Sequence, residues 1–212
     1  GGDELLAVYH HHFYRYGRQL IISGKLTKYF SLLKKYAELK GIPSNEIHKK
    51  VINEVKLSIK FKAGLANLGN KLSNKWNRAD KLIDLLKMDL QEFTLPTYLR
   101  SDDRDGMAFG LETRHPFLDY RLVDFCFSLP NDLKIKDGWQ KWILREAMPQ
   151  LPETIRFRKD KKGYTTPQIK WINENKAVFE SYLQYTPSKF SSVKSNDAFR
   201  SYALGAWFKV NS

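Results

Sequence analysis

"LPTYLRSDDRDGMAFGLETRHPFLDYRLVDFCFSLP" occupies residues 95–130 and carries the punctuation from which the fold is read. The helical signal begins upstream, at "DKLIDLLKMDLQEF" (80–93), passes through Pro96 and runs to about Thr113. Pro116 stops it, because the residue before a proline is pushed out of the α region. Asp119 then stands where a side-chain oxygen can cap a new helix, "YRLVDFCFSL" (120–129). Helices on both sides of a proline turn, with no clear period-two alternation anywhere in the chain, predict a mainly α protein.

The same signals extend outward. In "GGDELLAVY" (1–9), Asp3 is a good N-cap and opens a helix to about residue 16, which stops near Gly17. Glycines there let a backbone approach a ligand closely, and a loop ending in a helix N-terminus suits an anion. "LTKYFSLLKKYAELKG" (26–41) predicts a helix with Gly41 as its stop and Pro43 beyond. "PSNEIHKKVINEVKLSIKFKAGL" (43–65) follows, with Ser44 or Asn45 as cap and Ile47, Val51, Val55 and Ile59 at fourfold spacing. "NLGNKLSNKWNRAD" (67–80) reads as a surface loop, and "WQKWILREAM" (139–148) as a further helix stopping near "PQLPE". No repeat or low-complexity tract interrupts the chain.

Composition sets the class. Of 212 residues, 42% are hydrophobic and 14% aromatic, enough to build a core. No apolar run is long enough to span a membrane, and no signal-peptide pattern is present. The single cysteine, Cys126, lies in apolar "VDFCFSL"; it predicts an inert core thiol and a reducing, cytoplasmic setting. The net charge is +13, and residues 25–87 hold fifteen Lys/Arg against five Asp/Glu. Such a segment could bind nucleic acid. Because its lysines are spread along amphipathic patterns, and no nucleic-acid motif accompanies them, a solvated helical surface is the preferred reading.

Two stretches are dense in chemistry. In "LRSDDRDGMAFGLETRHPFLD" (99–119), Asp103, Met107, Ala108, Leu111 and Glu112 share one face of a continuous helix, where a carboxylate needs a cation such as Arg104 or Arg114. In "RFRKDKKGYTTP" (156–167), five basic residues fall within seven and close on Gly163, an arrangement suited to phosphate oxygens. Each could equally be an ion-pair network or a solvated loop. "HHH" at 10–12 invites a metal, but three consecutive helical histidines point about 100° apart, so surface or partly packed imidazoles are expected.

Taken together, residues 95–130 resemble the C-terminal signature of glutamine-hydrolysing asparagine synthetases, roughly L-x-x-x-L-R-x-x-D-R-x-S-M-A followed by E-x-R-x-P-F-L-D. "GWQKWILREAM" (138–148), "LPETIRFRKDKKGYTTP" (151–167) and the tryptophan of "IKWI" (169–172) follow in the family's order. Gly106 replaces a usual serine, and Tyr164 a common phenylalanine. An extra residue leaves both Lys159 and Lys161 as candidates for the family's lysine. "GGDELL" resembles the second half of the family loop S-G-E-G-[AG]-D-E-L.

The resemblance implies that residues 1–212 are the C-terminal helical half of an α/β PP-loop (adenine nucleotide α-hydrolase-like) synthetase domain, with the nucleotide loop and a glutaminase domain upstream. It implies ATP and Mg²⁺ as cofactors, and aspartate and glutamine-derived ammonia as reactants. It implies neither nucleic acid nor membrane as partner, and a homodimer as the assembly to look for in the full-length enzyme. Family members adenylate the aspartate side chain and let ammonia attack the β-aspartyl-AMP; relatives that amidate or cyclise another carboxylate are the alternative. By position, Asp3 is expected to bind Mg²⁺, Gly1 and Gly2 to lie against phosphates, and Lys161 to meet the charge of departing pyrophosphate. Glu112 and Arg114 are expected as a buried pair fixing the turn at Pro116, and Asp103 as either structural or functional.

Overall fold

The computed structural model describes residues 1–62, 79–160, 167–187 and 198–211. The chain divides into two units, Gly1–Asp160 and Lys161–Ser212. The expectations for most of the 67–80 loop, and for Lys161, lie outside the described residues.

In the first unit, α1 (Gly2–Leu5) is a single turn and α2 (His10–Ile22) begins after extended Tyr9. The sequence led us to expect one helix from Asp3 to Gly17. Ala7 instead adopts a left-handed φ of 58°, which breaks it, and α2 continues straight through Gly17. Gly17 is an interior contact: a Cβ there would come within 3.1 Å of Tyr29 and 3.2 Å of Val51. α3 (Leu26–Lys40) ends as expected, with Gly41 left-handed at φ 63°. α4 (Ser44–Lys62) buries Ile47 and Val51, leaves Val55 partly covered and exposes Ile59. Residues four apart advance about 40° past a full turn at each step, so a strict fourfold stripe winds off the core face.

α5 (Leu82–Gln91) and α6 (Thr94–Met107) replace the single helix expected over 80–113. Pro96 sits in the first turn of α6, where its missing N–H costs no intrahelical bond. The helix ends at Met107, and Gly110 beyond it is left-handed. A 3₁₀ turn (Pro116–Leu118) precedes α7 (Tyr120–Ser128), whose cap is Asp119, accepting from the Arg121 N–H at 2.9 Å.

One turn, α8 (Asn131–Lys134), leads into an antiparallel hairpin of β1 (Ile135–Lys136) and β2 (Trp139–Gln140), pairing Ile135 with Gln140 and Lys136 with Trp139. The helix expected over 139–148 is therefore shorter: α9 covers Trp142–Ala147. Asp137 and Gly138 are both left-handed, at φ 50° and 81°, which makes the two-residue turn that matches strand twist. α10 (Glu153–Arg156) closes the unit's helices.

The main core joins α2, α3, α4 and α5 through Phe13, Tyr16, Tyr29, Leu33, Tyr36, Val51, Leu82 and Leu86. Phe13 and Tyr36 stack with centroids 3.6 Å apart. A smaller core of Leu5, Leu6 and Cys126, with Leu122, Ile143 and Leu144 against it, ties α1 to α7 and α9. Cys126 is the buried thiol expected, and burial raises its pKa.

The second unit contains α11 (Gln168–Glu174), α12 (Lys176–Leu183) and α13 (Ala198–Asn211). Phe179 meets Tyr202, and the Lys209 ammonium lies over the rings of Tyr182 and Tyr185. Among the described residues no helix is long and apolar enough to cross a membrane.

Candidate functional site

Three of the stretches singled out in the sequence meet around α1. Gly1 and Gly2 lie directly under the 3₁₀ turn of "HPFLD": a Cβ on Gly1 would fall 2.8 Å from Leu118 Cδ2, and one on Gly2 3.3 Å from the Phe117 ring. The two glycines thus let the side chains of the proline turn pack closely on the N-terminal backbone. Across from them, Gln140 is buried and its side-chain amide donates to the carbonyls of Ala7 (2.9 Å) and Tyr9 (3.0 Å). The next backbone N–H, that of Lys141, donates to Leu6 O at 3.3 Å. The hairpin is thus stitched to the loop that follows α1.

That stitching delivers a residue the sequence reading passed over. Lys141 adopts φ 55°, ψ 33°, a left-handed conformation costly for a side chain with a Cβ. From there its ammonium reaches the Asp3 carboxylate, Nζ to Oδ1 2.5 Å, with both side chains about 30% exposed. Lys141 was inside a quoted motif, but its backbone geometry has no composition signal. Beside this pair, Glu4 is buried and accepts from the Tyr9 hydroxyl at 2.7 Å; burial and that carboxylate push the Tyr9 pKa up.

The basic stretch approaches from the same side. Arg145 Nε donates to Gln140 O at 2.9 Å, and its Nη1 donates to the carbonyl of Arg156. Phe157 packs edge-on against Trp139 with centroids 5.5 Å apart. Arg158 is turned back onto Asp160, and the Lys159 carbonyl accepts from Lys40.

Other expected residues are elsewhere. Glu112 and Arg114 do pair, at 2.9 Å, but with side chains 73% and 81% exposed, so they are not the buried clamp anticipated. The helix ends before they are reached, which removes the apolar face that would have covered them. Asp103 is likewise exposed on α6. Of the histidines, His10 is exposed and His11 partly buried, as expected, but His12 departs from the expectation. His12 is fully buried, and the Nε2 atoms of His11 and His12 meet one oxygen, Oδ2 of Asp89, at 2.9 and 2.7 Å. An imidazole reaches far enough beyond Cβ that rings from diverging positions can touch at their tips. His10 turns away to the Tyr36 hydroxyl at 2.7 Å.

The Asp3–Lys141 pair offers a hard oxygen donor beside a cation at the mouth of a backbone loop, a combination fitted to phosphate and its metal. Comparison with known proteins gives the family. The family model described as Asparagine synthase matches residues 1–203. "Asparagine synthetase [glutamine-hydrolyzing] 3" of Bacillus subtilis is 43% identical over 89 residues, covering 38% of this chain and 14% of that protein. "Asparagine synthetase [glutamine-hydrolyzing] 1" of the same organism is 37% identical over 95 residues, 42% of this chain and 15% of that protein. The mouse asparagine synthetase is 35% identical over 103 residues, 45% of this chain and 18% of that protein. These alignments therefore span less than a fifth of each relative. No solved structure matches the chain.

Proposed function

Because the chain belongs to the asparagine synthase family, we propose that it is the C-terminal helical part of a PP-loop synthetase domain in a glutamine-hydrolysing, asparagine-forming ligase. In that reaction a side-chain carboxylate oxygen of aspartate bonds to the α-phosphorus of ATP as pyrophosphate departs. Ammonia released from glutamine then attacks the acyl carbon, loses a proton and displaces AMP. The observation that carries the reading is the Asp3 carboxylate held 2.5 Å from the Lys141 ammonium beside the Gly1–Gly2 backbone.

Asp3 fits a Mg²⁺ ion in this setting. Asp3 would hold the ion, since a hard cation carried by phosphates needs only one or two protein carboxylates, and its side chain is 28% exposed. When bound, the ion supplies charge neutralisation on the phosphates. Lys141, the cation beside Asp3, would offer its ammonium to a phosphate or acyl-phosphate oxygen bound there. Gly1 and Gly2 would present backbone to those phosphates, and Lys161 would meet the charge that grows on departing pyrophosphate. Asp103, Glu112 and Arg114, all exposed, are given no part in this chemistry.

The test is made in the full-length protein carrying this chain. Asp3→Asn, nearly isosteric, is expected to lower aspartate- and Mg²⁺-dependent pyrophosphate release by about 10²–10³-fold, while glutamine hydrolysis is kept. Pyrophosphate release that persists in Asp3→Asn would refute the assignment of Asp3. Release driven by another carboxylic acid and not by aspartate would place the protein among relatives acting on a different acceptor.

A further inference from the structure

We propose that His11, His12 and Asp89 form a binding site for one divalent transition-metal ion of the zinc class, separate from the Asp3–Lys141 pair. The three side chains are brought together by α2 and α5, and one ligand atom from each lies within 4.8 Å of the others. Two neutral imidazoles and a carboxylate are a ligand set that zinc accepts, with water or another small ligand completing a tetrahedron.

The first argument is charge. Asp89 is fully buried, and its partners are His11, His12 and Thr94, with no lysine or arginine on it among the described residues. A buried carboxylate requires a compensating positive charge. His12 Nε2 faces Asp89, and its Nδ1 is buried without a hydrogen-bond partner. A cation between the three ligand atoms puts the charge where all three can share it.

The second argument is orientation. Thr94 Oγ1 donates to Asp89 Oδ1 at 2.8 Å, fixing the carboxylate so that Oδ2 alone faces the imidazoles. Tyr9 stacks on His11 with the planes 12° apart, holding that ring in place. Such supports around a ligand set are what orient metal ligands. Tetrahedral bonds of about 2.0 Å place ligand atoms ~3.3 Å apart, so the 2.7–2.9 Å contacts must open by roughly half an ångström. The His11 side chain is 28% exposed, which gives an ion its entry and leaves room for the fourth ligand. The lone Nδ1 of His12 weakens the site relative to one with an acceptor there.

The test uses the full chain, stripped with EDTA, desalted, and titrated with Zn²⁺ alone and separately with Co²⁺. One equivalent should bind, and Co²⁺ should show the intense visible absorption of four-coordination. Asp89→Asn and His11→Gln should each weaken binding by about 100-fold or more, and Thr94→Val by about 10-fold. His11→Gln, at a partly exposed position, is the variant that keeps the fold if Asp89→Asn does not, as far-UV circular dichroism will report. His10→Gln should leave binding unchanged. Absence of binding to the stripped wild-type chain would overturn the proposal. So would loss of binding in His10→Gln with full binding in His11→Gln, since the metal would then sit on the outer histidine. A six-coordinate Co²⁺ spectrum would overturn the ligand set.

Discussion

Replacing Gly138 with alanine should be among the most damaging small changes available in this chain. Two costs are separable. Gly138 has φ 81°, and an alanine held there pays about 1 kcal/mol in backbone conformation. Its Cβ would also fall 2.6 Å from Lys35 C and Tyr36 N and 2.8 Å from Lys35 O. Those atoms are helix backbone in α3 and cannot swing aside as a side chain would. The hairpin must back away from α3, stretching the 2.5 Å Lys35–Asp137 ion pair and uncovering Ile135; overpacking of this kind costs about 1–3 kcal/mol. The sum is about 2–4 kcal/mol. Gly24→Ala is the internal reference: its φ is 71°, yet a Cβ there meets nothing within 4 Å, so only the conformational cost of about 1 kcal/mol applies. Urea unfolding followed by tryptophan fluorescence, with Trp139 and Trp142 as local reporters, measures both. If Gly138→Ala costs no more than Gly24→Ala, the close approach of the hairpin to α3 is wrong.

Two further outcomes follow from buried titratable groups. Lys134 is fully buried, its ammonium donating to Leu129 O at 2.6 Å, and burial pushes its pKa down to about 8 from 10.5. Between about pH 8 and 10 the unfolded chain holds a proton that the folded chain has released, so stability should rise by on the order of 2 kcal/mol. Above pH 10 the trend reverses: Tyr16, Tyr29 and Tyr36 have pKa values raised by burial, Tyr29 to about 12, and the unfolded chain loses those protons first. Urea midpoints against pH should show this maximum, and Lys134→Met should abolish the rise; a rise retained in that variant would exclude Lys134 as its source. Cys126, 3% exposed with its pKa raised by burial, should react with a disulfide reagent only as fast as the chain opens. Labelling of the native chain at the rate of a free thiol would show that the α1–α7 core is not closed.

Helix content, the Gly41 stop and the Asp119 cap were all readable because each depends on residues a few positions apart. The errors have a common form. Gly17 resembles a terminator in sequence, yet what decides its role is Tyr29 and Val51 across the core. Ala7 carries no hint that its neighbours force it to a positive φ. The hairpin did have a local mark, the Asp137-Gly138 pair that favours a tight two-residue turn, but strands of two residues have no periodicity to detect. At the site, Asp3 could be nominated from its motif, whereas Lys141 became visible only when Gln140 was seen gripping the carbonyls of Ala7 and Tyr9. The exposure of Glu112 and Arg114 was hidden for the same reason: a helix assumed to continue past Met107 supplies a face that does not exist.

The Gln140 bridge also imposes an order in time. During synthesis the ribosome releases the chain from its N-terminus at about 5–20 residues per second. Phe13, Tyr36, Val51 and the other residues of α2, α3 and α4 can find one another early, since their loops are short. Asp3 cannot: its cation, and the amide that holds the loop behind it, belong to residues 140 and 141. For roughly ten seconds or longer at those rates, the Asp3 loop therefore exists without its clamp. The half of the site made first is the last to be set, and a pause in translation before Gln140 would prolong exposure of Leu5 and Leu6 and favour capture by a chaperone.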